Sequence, residues 1–418
     1  MAVDKDLFLH DLAIVAIMKN EGHYIKEWLD YHLLAGVDHF YIYDNDSPDN
    51  QAAVAKPYVA AGLVDYFHTP GKMMQNVTYN DALNRFKFQC RYITFIDGDE
   101  FIYPKVAWGG GIAEIVDEVF SAVPNAGELS ISWQCFGSNG QEKADYSRGV
   151  LERFTLRESK DVNPTIGCKF IADPRKIHHI ESPHWAALFE GFVPVTENGK
   201  VKTCNRWQLD PPHTDKMVVN HYRCMSWEEY AKRAPRGDAS ASTGSKYSKE
   251  FFKTIDLNDE FDDGILRYRD ARAKTFQLPD KSHANERLFA ALARNLSPTL
   301  VPTTPPQFYA GKMETFLTCR AVASYLKTRL TDKTPATFFE DASLEAVLKS
   351  LGEMTLTDAR LLLSELPNLL SLPYPVVKDL RESCLDIIPQ IMDIMRLNNL
   401  WKDYVELDYL RRLLQTWK

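Results

Sequence analysis

The chain has 418 residues, of which 45% are hydrophobic and 25% are charged, a composition typical of globular proteins and a length that suits two or three domains. Its formal net charge of −8, without a basic stripe, argues against nucleic acid as the main partner, because such binding needs clustered cations. Seven scattered cysteines without a C-x-x-C pair argue against a disulfide framework or a structural zinc site.

The first apolar segment, residues 12–18, is only seven residues long and is flanked by acidic side chains. No cleavage site of small residues follows it, so it predicts a strand and not a signal peptide. No window of the chain approaches the ~20 apolar residues that a membrane span needs. The sequence therefore predicts a cytoplasmic protein without a transmembrane segment, with peripheral contact at the inner face of the membrane left open.

Strand and helix patterns alternate over the first hundred residues. Short runs rich in β-branched and aromatic residues predict strands, and apolar residues at helical spacing predict helices between them. The order β-α-β-α-β-α-β predicts a parallel, doubly wound α/β sheet. The predicted strands are 12–18, 40–43, 63–67 and 92–96. Of the three predicted helices, the first ends at Gly36, the second spans about 50–61 and the third spans about 75–90.

Three carboxylates, Asp97, Asp99 and Glu100, directly follow the predicted strand 92–96, and Gly98 between them allows a sharp turn. Carboxylates this close raise each other's pKa unless a cation lies between them. A hard divalent cation that also binds phosphate oxygens is the simplest such cation. The tetrapeptide alone is explained equally well by a polar strand exit with solvated acids.

A second acidic pair, Asp44 and Asp46, follows the predicted strand 40–43. Because the carboxyl ends of parallel strands meet at one edge of a sheet, the two acidic groups predict a polar crevice that holds a nucleotide and its metal. The patterns G-x-G-x-x-G and G-x-x-x-x-G-K-[ST] are absent at the expected places. Their absence disfavours nicotinamide dehydrogenases and P-loop enzymes.

From about residue 128 the pattern changes to strands and irregular loops, which predicts an α+β extension of the same sheet. Residues 235–250 are rich in Gly, Ser and Lys and predict a mobile loop. The Pro-rich segment 297–311 predicts a linker. Helical periodicity beyond it predicts an all-α domain at 312–418, through which an oligomer could form. The first domain is therefore predicted at 1–296.

Five motifs in about the first 225 residues, the last of which begins at Asn220, resemble glycosyltransferase family 92 in order and spacing. This family sits beside the family 2-like bacterial transferases of GT-A fold. The motifs are KNEGHYIKEWLDYHLLAGVDHFYIYDNDSPD, NDALNRFKFQCRYITFIDGDEFIYP, WQCFGSNG, GCKFIADPRKI and NHYRCMSWEEY. The resemblance implies a metal-dependent, inverting hexosyltransferase that uses a UDP-sugar, with galactose or glucose favoured. The animal members have a membrane anchor that this chain lacks, which suggests a bacterial cytoplasmic relative.

The resemblance also implies roles for individual residues in the half that binds the nucleotide sugar, about 10–125. Asp97 and Asp99 would hold Mn²⁺ or Mg²⁺, which acts as a Lewis acid on the diphosphate. A late histidine often completes such a metal shell, and His221 is favoured over His184. For several predicted contacts a helix cap, an Asx turn or a salt bridge is the alternative. The predicted contacts to the nucleotide sugar are Asn20, Glu21, Asp44, Asp46, Asp81 and Lys169.

The acceptor, a glycan or a lipid-linked saccharide, is expected in the half about 126–296. Trp133 and the loop with Gly137 and Ser138 are predicted to form its wall, because Trp faces stack on sugars; core packing is the alternative for Trp133. An inverting enzyme needs a base that takes the proton of the acceptor hydroxyl. The sequence does not identify this carboxylate, and the candidates are Glu142, Asp145, Glu152 and Glu181.

Two other classes of protein stay open at this stage. A sugar nucleotidyltransferase also uses acids that bind a metal on a similar sheet, but it generally has a phosphate loop rich in Gly and Arg or Lys near the first strand, which LAIVAIMKNEG lacks. A carbohydrate-binding or scaffold protein that kept the fold without catalysis is the second alternative. The intact pair Asp97 and Asp99 argues against a decayed site.

Overall fold

The computed structural model describes residues 8–279, apart from 88, 106–109, 160, 162–166, 190, 204–206 and 234–247, together with residues 5, 281, 385, 389 and 392. The chain divides into two compact units, and the first consists of residues 1–2, 11–82 and 92–279. All the site residues discussed below belong to this first unit. The predicted linker 297–311, nearly all of the predicted helical domain 312–418 and most of the predicted loop 235–250 lie outside the described residues.

The predicted alternation of strands and helices is confirmed in the first hundred residues. Its elements are β1 (His10–Met18), α1 (Ile25–Leu34), β2 (His39–Asp44), α2 (Gln51–Ala60), β3 (Val64–His68), α3 (Gln75–Phe86) and β4 (Cys90–Phe95). The elements that follow are β5 (Glu100–Pro104), α4 (Ile112–Ala122), β6 (Ala126–Cys135), α5 (Val150–Arg153), β7 (Leu156–Arg157), β8 (Cys168–Ala172), β9 (Ile177–Ser182), β10 (Trp185–Leu188), β11 (Val193–Val195), β12 (Met217–His221), α6 (Trp227–Arg233), α7 (Lys249–Ile255), β13 (Glu260–Phe261) and α8 (Gly264–Ala273).

One large sheet connects the two halves of the first unit, and its strand order is β3-β2-β1-β4-β8-β6-β12-β5, with β11 also paired to β6. Strands β1, β2 and β3 are parallel. Strand β8 is antiparallel to both β4 and β6, and β12 is parallel to β6 but antiparallel to β5. The predicted α/β class is confirmed: parallel strands form the first half of a mixed sheet, and antiparallel pairings extend it.

The strand β1 is buried along residues 12–18, as expected for an interior strand with both faces covered. Helix α1 packs its apolar side on the core, because Ile25, Trp28 and Leu29 recur at helical spacing and are all buried. Among the described residues, no helix is both long enough and apolar enough to cross a membrane.

Helix α1 also holds the start of β5 in place. The indole of Trp28 donates to the carbonyl of Glu100 at 2.9 Å, and the hydroxyl of Tyr31 donates to the carbonyl of Ile102 at 3.0 Å. His32 Nδ1 donates to the carbonyl of Trp28 at 2.8 Å, while its Nε2 accepts from the amide of Ile102 at 3.2 Å. These bonds fix the backbone that carries Glu100.

Candidate active site

The acidic groups predicted from the sequence meet at one edge of the sheet. Strand β2 pairs with β1 so that Asp44 lies opposite Met18, and β4 is the other neighbour of β1. The turn after β4 packs on the turn after β1, since a Cβ added to Gly98 would lie 3.3 Å from Cγ of Glu21. The ends of β1, β2 and β4 therefore surround one polar crevice.

Asp97 and Glu100 share a buried lysine. The ammonium group of Lys169 is 2.9 Å from Oδ2 of Asp97 and 3.1 Å from Oε2 of Glu100, and Lys169 has no exposed surface. Gln75 donates to Oδ1 of Asp97 at 3.0 Å. Strand β8 brings Lys169 to this point because it runs antiparallel to β4. Both oxygens of Asp97 thus have a protein donor.

Asp99 lies between a guanidinium group and an imidazole ring. Nη1 of Arg233 is 2.9 Å from Oδ2 of Asp99, and Nε2 of His221 is 3.7 Å from Oδ1. Strand β12 delivers His221 because it pairs with β5 in a register that places His221 opposite Glu100. We refer to the six side chains Asp97, Asp99, Glu100, Lys169, His221 and Arg233 as the acid cluster.

Burial and charge shift the pKa values in the acid cluster in opposite directions. Burial raises the pKa of Glu100 to about 8, although Lys169 opposes this shift. Burial alone would lower the pKa of Lys169, but the carboxylates of Asp97 and Glu100 raise it well above its ordinary value. Burial lowers the pKa of His221 to about 4 despite the nearby Asp99, so His221 is neutral at pH 7.

Two buried atoms of the acid cluster make no hydrogen bond within the part of the chain that the structure describes. They are Oε1 of Glu100 and Nδ1 of His221, which lie 4.0 Å apart. Such atoms are uncommon in folded proteins and call for an explanation, because each costs free energy. In the acid cluster, the described residues therefore leave part of the buried hydrogen-bonding capacity unused.

The donor set of Asp99 and His221 fits a divalent cation. Carboxylate oxygen suits Mg²⁺ and Mn²⁺, and imidazole nitrogen is a common ligand of transition metals. The 3.7 Å between Oδ1 of Asp99 and Nε2 of His221 is close to the ~3 Å that separates neighbouring ligands of one such ion. Among the described residues, no group of three or more His, Cys, Asp or Glu is gathered to hold a metal. A protein contribution of one or two ligands is common where phosphates supply the others.

Trp133 lies between the two candidate histidines. Its ring centroid is 5.0 Å from that of His184 and 4.7 Å from that of His221. The ring also packs against Gly167, where an added Cβ would lie 2.2 Å from Cε3 of Trp133. The ring is half-buried, and its indole nitrogen makes no hydrogen bond in the described chain.

His184 has a defined tautomer at this place. Nδ1 of His184 is 3.0 Å from the carbonyl oxygen of Cys168. Because a carbonyl only accepts, Nδ1 carries the proton and Nε2 has the lone pair. Burial lowers the pKa of His184 to about 4, and Lys169 adds to this effect. His184 is therefore a neutral imidazole beside the acid cluster, with one nitrogen able to accept a proton or bind a metal.

Three of the side chains predicted to contact the nucleotide interact with other residues of the protein. Asp44 is buried, and its Oδ1 accepts from the amide of Ser47 at 2.9 Å, which is the Asx turn that the sequence allowed. The exposed Asp46 lies 2.6 Å from Nε2 of His68. Asp81 accepts from the hydroxyl of Tyr43 at 2.8 Å.

Asn20 and Glu21 lie in the turn after β1. The amide of Asn20 donates to Oγ of Ser47 at 2.9 Å, and the amide of Glu21 donates to Gln51 at 2.9 Å. Oδ1 of Asn20 is buried without a hydrogen bond to the described residues. Asn20 also has a left-handed φ of 60°, which is uncommon for a residue other than glycine.

The predicted acceptor loop is tied to the segment before β13. The amide and hydroxyl of Ser138 donate to the two oxygens of Asp256 at 2.6 and 2.8 Å. A Cβ on Gly137 would lie 2.4 Å from Oδ1 of Asn258, so only glycine allows this close approach. The acceptor role of Gly137 and Ser138 stays a prediction.

The four carboxylates predicted as candidate bases are all exposed. Each has a polar partner: Lys249 for Glu142 at 3.7 Å, Ser147 for Asp145 at 2.6 Å, Arg269 for Glu152 at 3.3 Å and His179 for Glu181 at 3.1 Å. The backbone of Glu181 is connected to the acid cluster, because its carbonyl accepts from Asn76 at 3.0 Å and the adjacent Gln75 binds Asp97.

Sequence reasoning missed Gln75 and Arg233 as members of the site. Arg233 ends α6, and a second set of buried charges holds this helix. The guanidinium of Arg153 binds the carboxylate of Glu229 with two bonds of 2.6 and 2.9 Å. Glu229 also accepts from the amide of Ser226 at 3.1 Å and from the hydroxyl of Tyr24 at 2.9 Å. We refer to Tyr24, Arg153, Ser226 and Glu229 as the anchor cluster.

In mixed α/β sheets of this kind, nucleotides and other ligands bind at the carboxyl ends of the parallel strands, where the acids of this chain lie. The model of glycosyltransferase family 92 matches residues 15–268, more than half of the chain. The chain belongs to glycosyltransferase family 92, as the motifs in the sequence predicted.

Plant proteins are among the relatives of this chain. A family 92 protein of Ricinus communis, RCOM_0530710, is 26% identical over 227 residues, which are 54% of this chain and 37% of that protein. Galactan beta-1,4-galactosyltransferase GALS2 of Arabidopsis thaliana is 25% identical over 193 residues, 43% of this chain and 36% of that protein. The chain thus spans little more than a third of these relatives, and its bacterial origin stays a prediction.

Similarity to solved structures is low. Residues 1–349 of S. aureus TarS, in complex with UDP-GlcNAc, give a TM-score of 0.33 at 12% identity, covering 97% of this chain and 91% of that chain. Glucosyl-3-phosphoglycerate synthase from Mycobacterium tuberculosis, in complex with Mn²⁺, UDP and glucosyl-3-phosphoglycerate, gives a TM-score of 0.23 at 14% identity, covering 40% of this chain and 58% of that chain.

Proposed function

We propose that this chain is an inverting glycosyltransferase that moves a hexose, galactose or glucose, from a UDP-sugar to a glycan or glycoconjugate acceptor. The observation that carries the proposal is the acid cluster, which lies at the end of β4 between the ends of neighbouring strands. Membership in family 92 supports it. Two relatives from Arabidopsis thaliana are galactan beta-1,4-galactosyltransferases, which favours galactose.

The leaving group of this reaction is a nucleoside diphosphate, whose developing charge needs a fixed positive environment. In the acid cluster, Lys169 and Arg233 offset the charges of Asp97 and Asp99. A Mn²⁺ or Mg²⁺ ion held by Asp99 and His221 would supply the additional positive charge on the diphosphate. Asp97, bound by Lys169 and Gln75, would position the turn and the ribose.

The nucleotide would lie along the ends of β1 and β2. Oδ1 of Asn20 is buried and lacks a hydrogen bond in the described chain, which supports a role in binding a ligand. Glu21 packs on the turn at Gly98 and would line the same pocket. Asp44 and Asp46 would contact the ribose and the uracil from the second strand.

The acceptor sugar would approach from the side of Trp133, whose half-buried ring lies between His184 and His221. A carboxylate would take the proton of the acceptor hydroxyl. Among the four predicted candidates we propose Glu181, because its backbone carbonyl is bound to α3 next to the residue that contacts Asp97.

Calorimetric titration with a panel of UDP-sugars, with and without Mn²⁺, tests this proposal. We expect one UDP-sugar to bind the wild-type chain in a metal-dependent manner. The variant Asp99→Asn should bind it at least about tenfold more weakly, a loss of ~1.4 kcal/mol. The matched control Asp270→Asn changes a carboxylate on the surface of α8 and should leave the affinity unchanged.

Two results would contradict the proposal in different ways. Binding that depends neither on metal nor on Asp99 would exclude the metal-dependent mechanism. A wild-type chain that binds no nucleotide sugar would exclude the transferase itself and favour the alternative of a carbohydrate-binding protein.

A further inference from the structure

We infer that Arg233 is a ligand of the donor diphosphate that rests on Asp99 while the donor is absent, so that Arg233 and a divalent cation compete for Asp99. This inference rests on the proposed function, because it assigns a residue to the diphosphate of the proposed donor. It names a binding residue that the sequence motifs did not reveal.

The guanidinium of Arg233 is directed into the acid cluster. Nη1 binds Oδ2 of Asp99 at 2.9 Å and the carbonyl of Arg223 at 3.0 Å, and Nη2 lies 3.2 Å from Sδ of Met225. Only 12% of its side chain is exposed. The neighbouring Lys232 is 56% exposed and turns to Glu228 instead. Of the two basic residues at the end of α6, Arg233 therefore belongs to the site and Lys232 does not.

The anchor cluster sets the position of Arg233 independently of Asp99. Glu229, one helical turn before Arg233, is bound by Arg153 through two bonds and by Tyr24 from the turn after β1. A binding group is most effective when a rigid element holds it near its working position. Helix α6 is such an element, since its first turn is bonded to α5 and to the β1–α1 turn.

Charge explains why the two cations would compete. Asp99 offers Oδ2 to Arg233 and Oδ1 towards His221, so a metal ion beside His221 would share this carboxylate with a guanidinium group. The two positive charges repel each other at this distance. A diphosphate removes the conflict, because its oxygens can bind the metal and accept from the planar guanidinium at once. Metal and UDP should consequently strengthen each other's binding.

A purely structural ion pair between Arg233 and Asp99 is the competing explanation. It predicts that loss of Arg233 disturbs the turn at Asp99 and weakens every ligand of the site. Competition for Asp99 predicts changes of opposite sign, with tighter binding of the metal alone and weaker binding of UDP. The sign of the two changes therefore distinguishes the explanations.

The test measures Mn²⁺ affinity without nucleotide by electron paramagnetic resonance, and UDP affinity with Mn²⁺ by calorimetry. For Arg233→Gln we expect Mn²⁺ to bind about fivefold more tightly and UDP to bind at least about tenfold more weakly. Arg233→Lys keeps the positive charge but loses the planar guanidinium group with its paired N–H donors. The affinity for Mn²⁺ should therefore stay at the wild-type value, while the affinity for UDP falls. The control Lys232→Gln should change neither affinity.

Weaker binding of both ligands by a folded Arg233→Gln variant would overturn the inference, and so would an unchanged affinity for UDP. If Arg233→Gln does not fold, Arg233→Lys decides the question. A UDP affinity equal to that of the wild type in Arg233→Lys would contradict a role of the planar guanidinium group in binding the diphosphate. A wild-type chain that does not bind UDP would instead overturn the proposed function on which the inference rests. Wild-type binding with unaffected variants would overturn the inference alone.

Discussion

The anchor cluster and the acid cluster are both built from buried charges, yet they differ in how far the protein satisfies them. In the anchor cluster, Glu229 accepts from Arg153, Ser226 and Tyr24. Burial raises its pKa, but the bonds from Arg153 and Ser226 outweigh burial and leave the pKa lowered. In the acid cluster, burial dominates and raises the pKa of Glu100 to about 8.

This difference in hydrogen bonding and burial indicates a structural role for the anchor cluster and a ligand-binding role for the acid cluster. The carboxylate of Glu229 is bound on both oxygens and only 1% of its side chain is exposed, so a ligand cannot reach it. Among the described residues, the acid cluster keeps a buried carboxylate oxygen of Glu100 and a buried ring nitrogen of His221 without a hydrogen bond, whereas the anchor cluster leaves Nε of Arg153 in that state. In addition, Asp99 is 17% exposed. An unsatisfied buried polar group calls for an explanation, and a ligand or ion that binds there is one such explanation. Three of the four predictions that follow test this separation.

Removal of the Glu229 side chain should have the largest effect, because it leaves the buried guanidinium of Arg153 without its partner. We expect Glu229→Ala to lower the free energy of unfolding by about 3–5 kcal/mol, measured by urea denaturation. The control Glu228→Gln changes the adjacent, more exposed carboxylate and should cost less than about 1 kcal/mol. A loss of similar size in both variants would contradict the structural role of the anchor cluster.

Lys169→Met should change stability and ligand binding together. The variant leaves Asp97 and Glu100 adjacent without their shared cation, but Glu100 can take up a proton and Met recovers apolar contacts. We therefore expect a smaller loss of about 2 kcal/mol in the free energy of unfolding. UDP affinity should also fall by about tenfold, because the turn that carries Asp99 moves. Unchanged UDP affinity would show that Lys169 is only structural.

The sequence predicted the parts of the site that follow directly from strand ends. Asp44, Asp97 and Asp99 each come after an apolar run, and parallel pairing brings the ends of such runs together. The sequence did not reveal the partners of these acids. Lys169 is 72 residues from Asp97, and Arg233 is 134 residues from Asp99.

Those partnerships depend on strand register and helix placement, which local patterns do not encode. Lys169 reaches Asp97 only because β8 inserts antiparallel between β4 and β6, whereas the motif around it suggested a phosphate contact or a surface salt bridge. The motif NHYRCMSWEEY placed His221 correctly at a strand end. Its glutamates gave no sign that Glu229 is buried and paired with Arg153.

His32 tests whether a buried, fully bonded histidine makes the fold sensitive to acid. Burial lowers its pKa in the folded chain to about 3, whereas an unfolded histidine titrates near 6.5. The unfolded chain therefore binds more protons between these values, and stability falls as the pH drops below 6.5. Between pH 6.5 and pH 5 we expect the titration of His32 alone to lower the free energy of unfolding by about 1.6 kcal/mol.

The measurement is the free energy of unfolding as a function of pH, in wild type and in His32→Asn. The asparagine amide can replace Nδ1–H as a donor to the carbonyl of Trp28 but does not titrate. Between pH 4 and pH 6, the free energy of unfolding of His32→Asn should depend less steeply on pH than that of the wild type, by the equivalent of about one bound proton. His184 and His221, whose pKa values are also lowered by burial to about 4, remain in both proteins. Equal slopes would therefore contradict the prediction for His32 without concerning the site.

Ser226→Ala should have the smallest effect of the four. Oγ of Ser226 accepts from the amide of Glu229 at 3.3 Å while Glu229 accepts from the amide of Ser226, which is a capping box at the start of α6. Loss of the hydroxyl should cost ~1 kcal/mol in thermal or urea unfolding. Glu229 keeps its bonds to Arg153 and Tyr24, so Arg233 at the other end of α6 should keep its position and UDP affinity should change less than about twofold. A tenfold loss of UDP affinity with this small cost in stability would contradict the prediction, because it would mean that the bonds from Arg153 and Tyr24 do not hold Arg233 in position without the Ser226 hydroxyl.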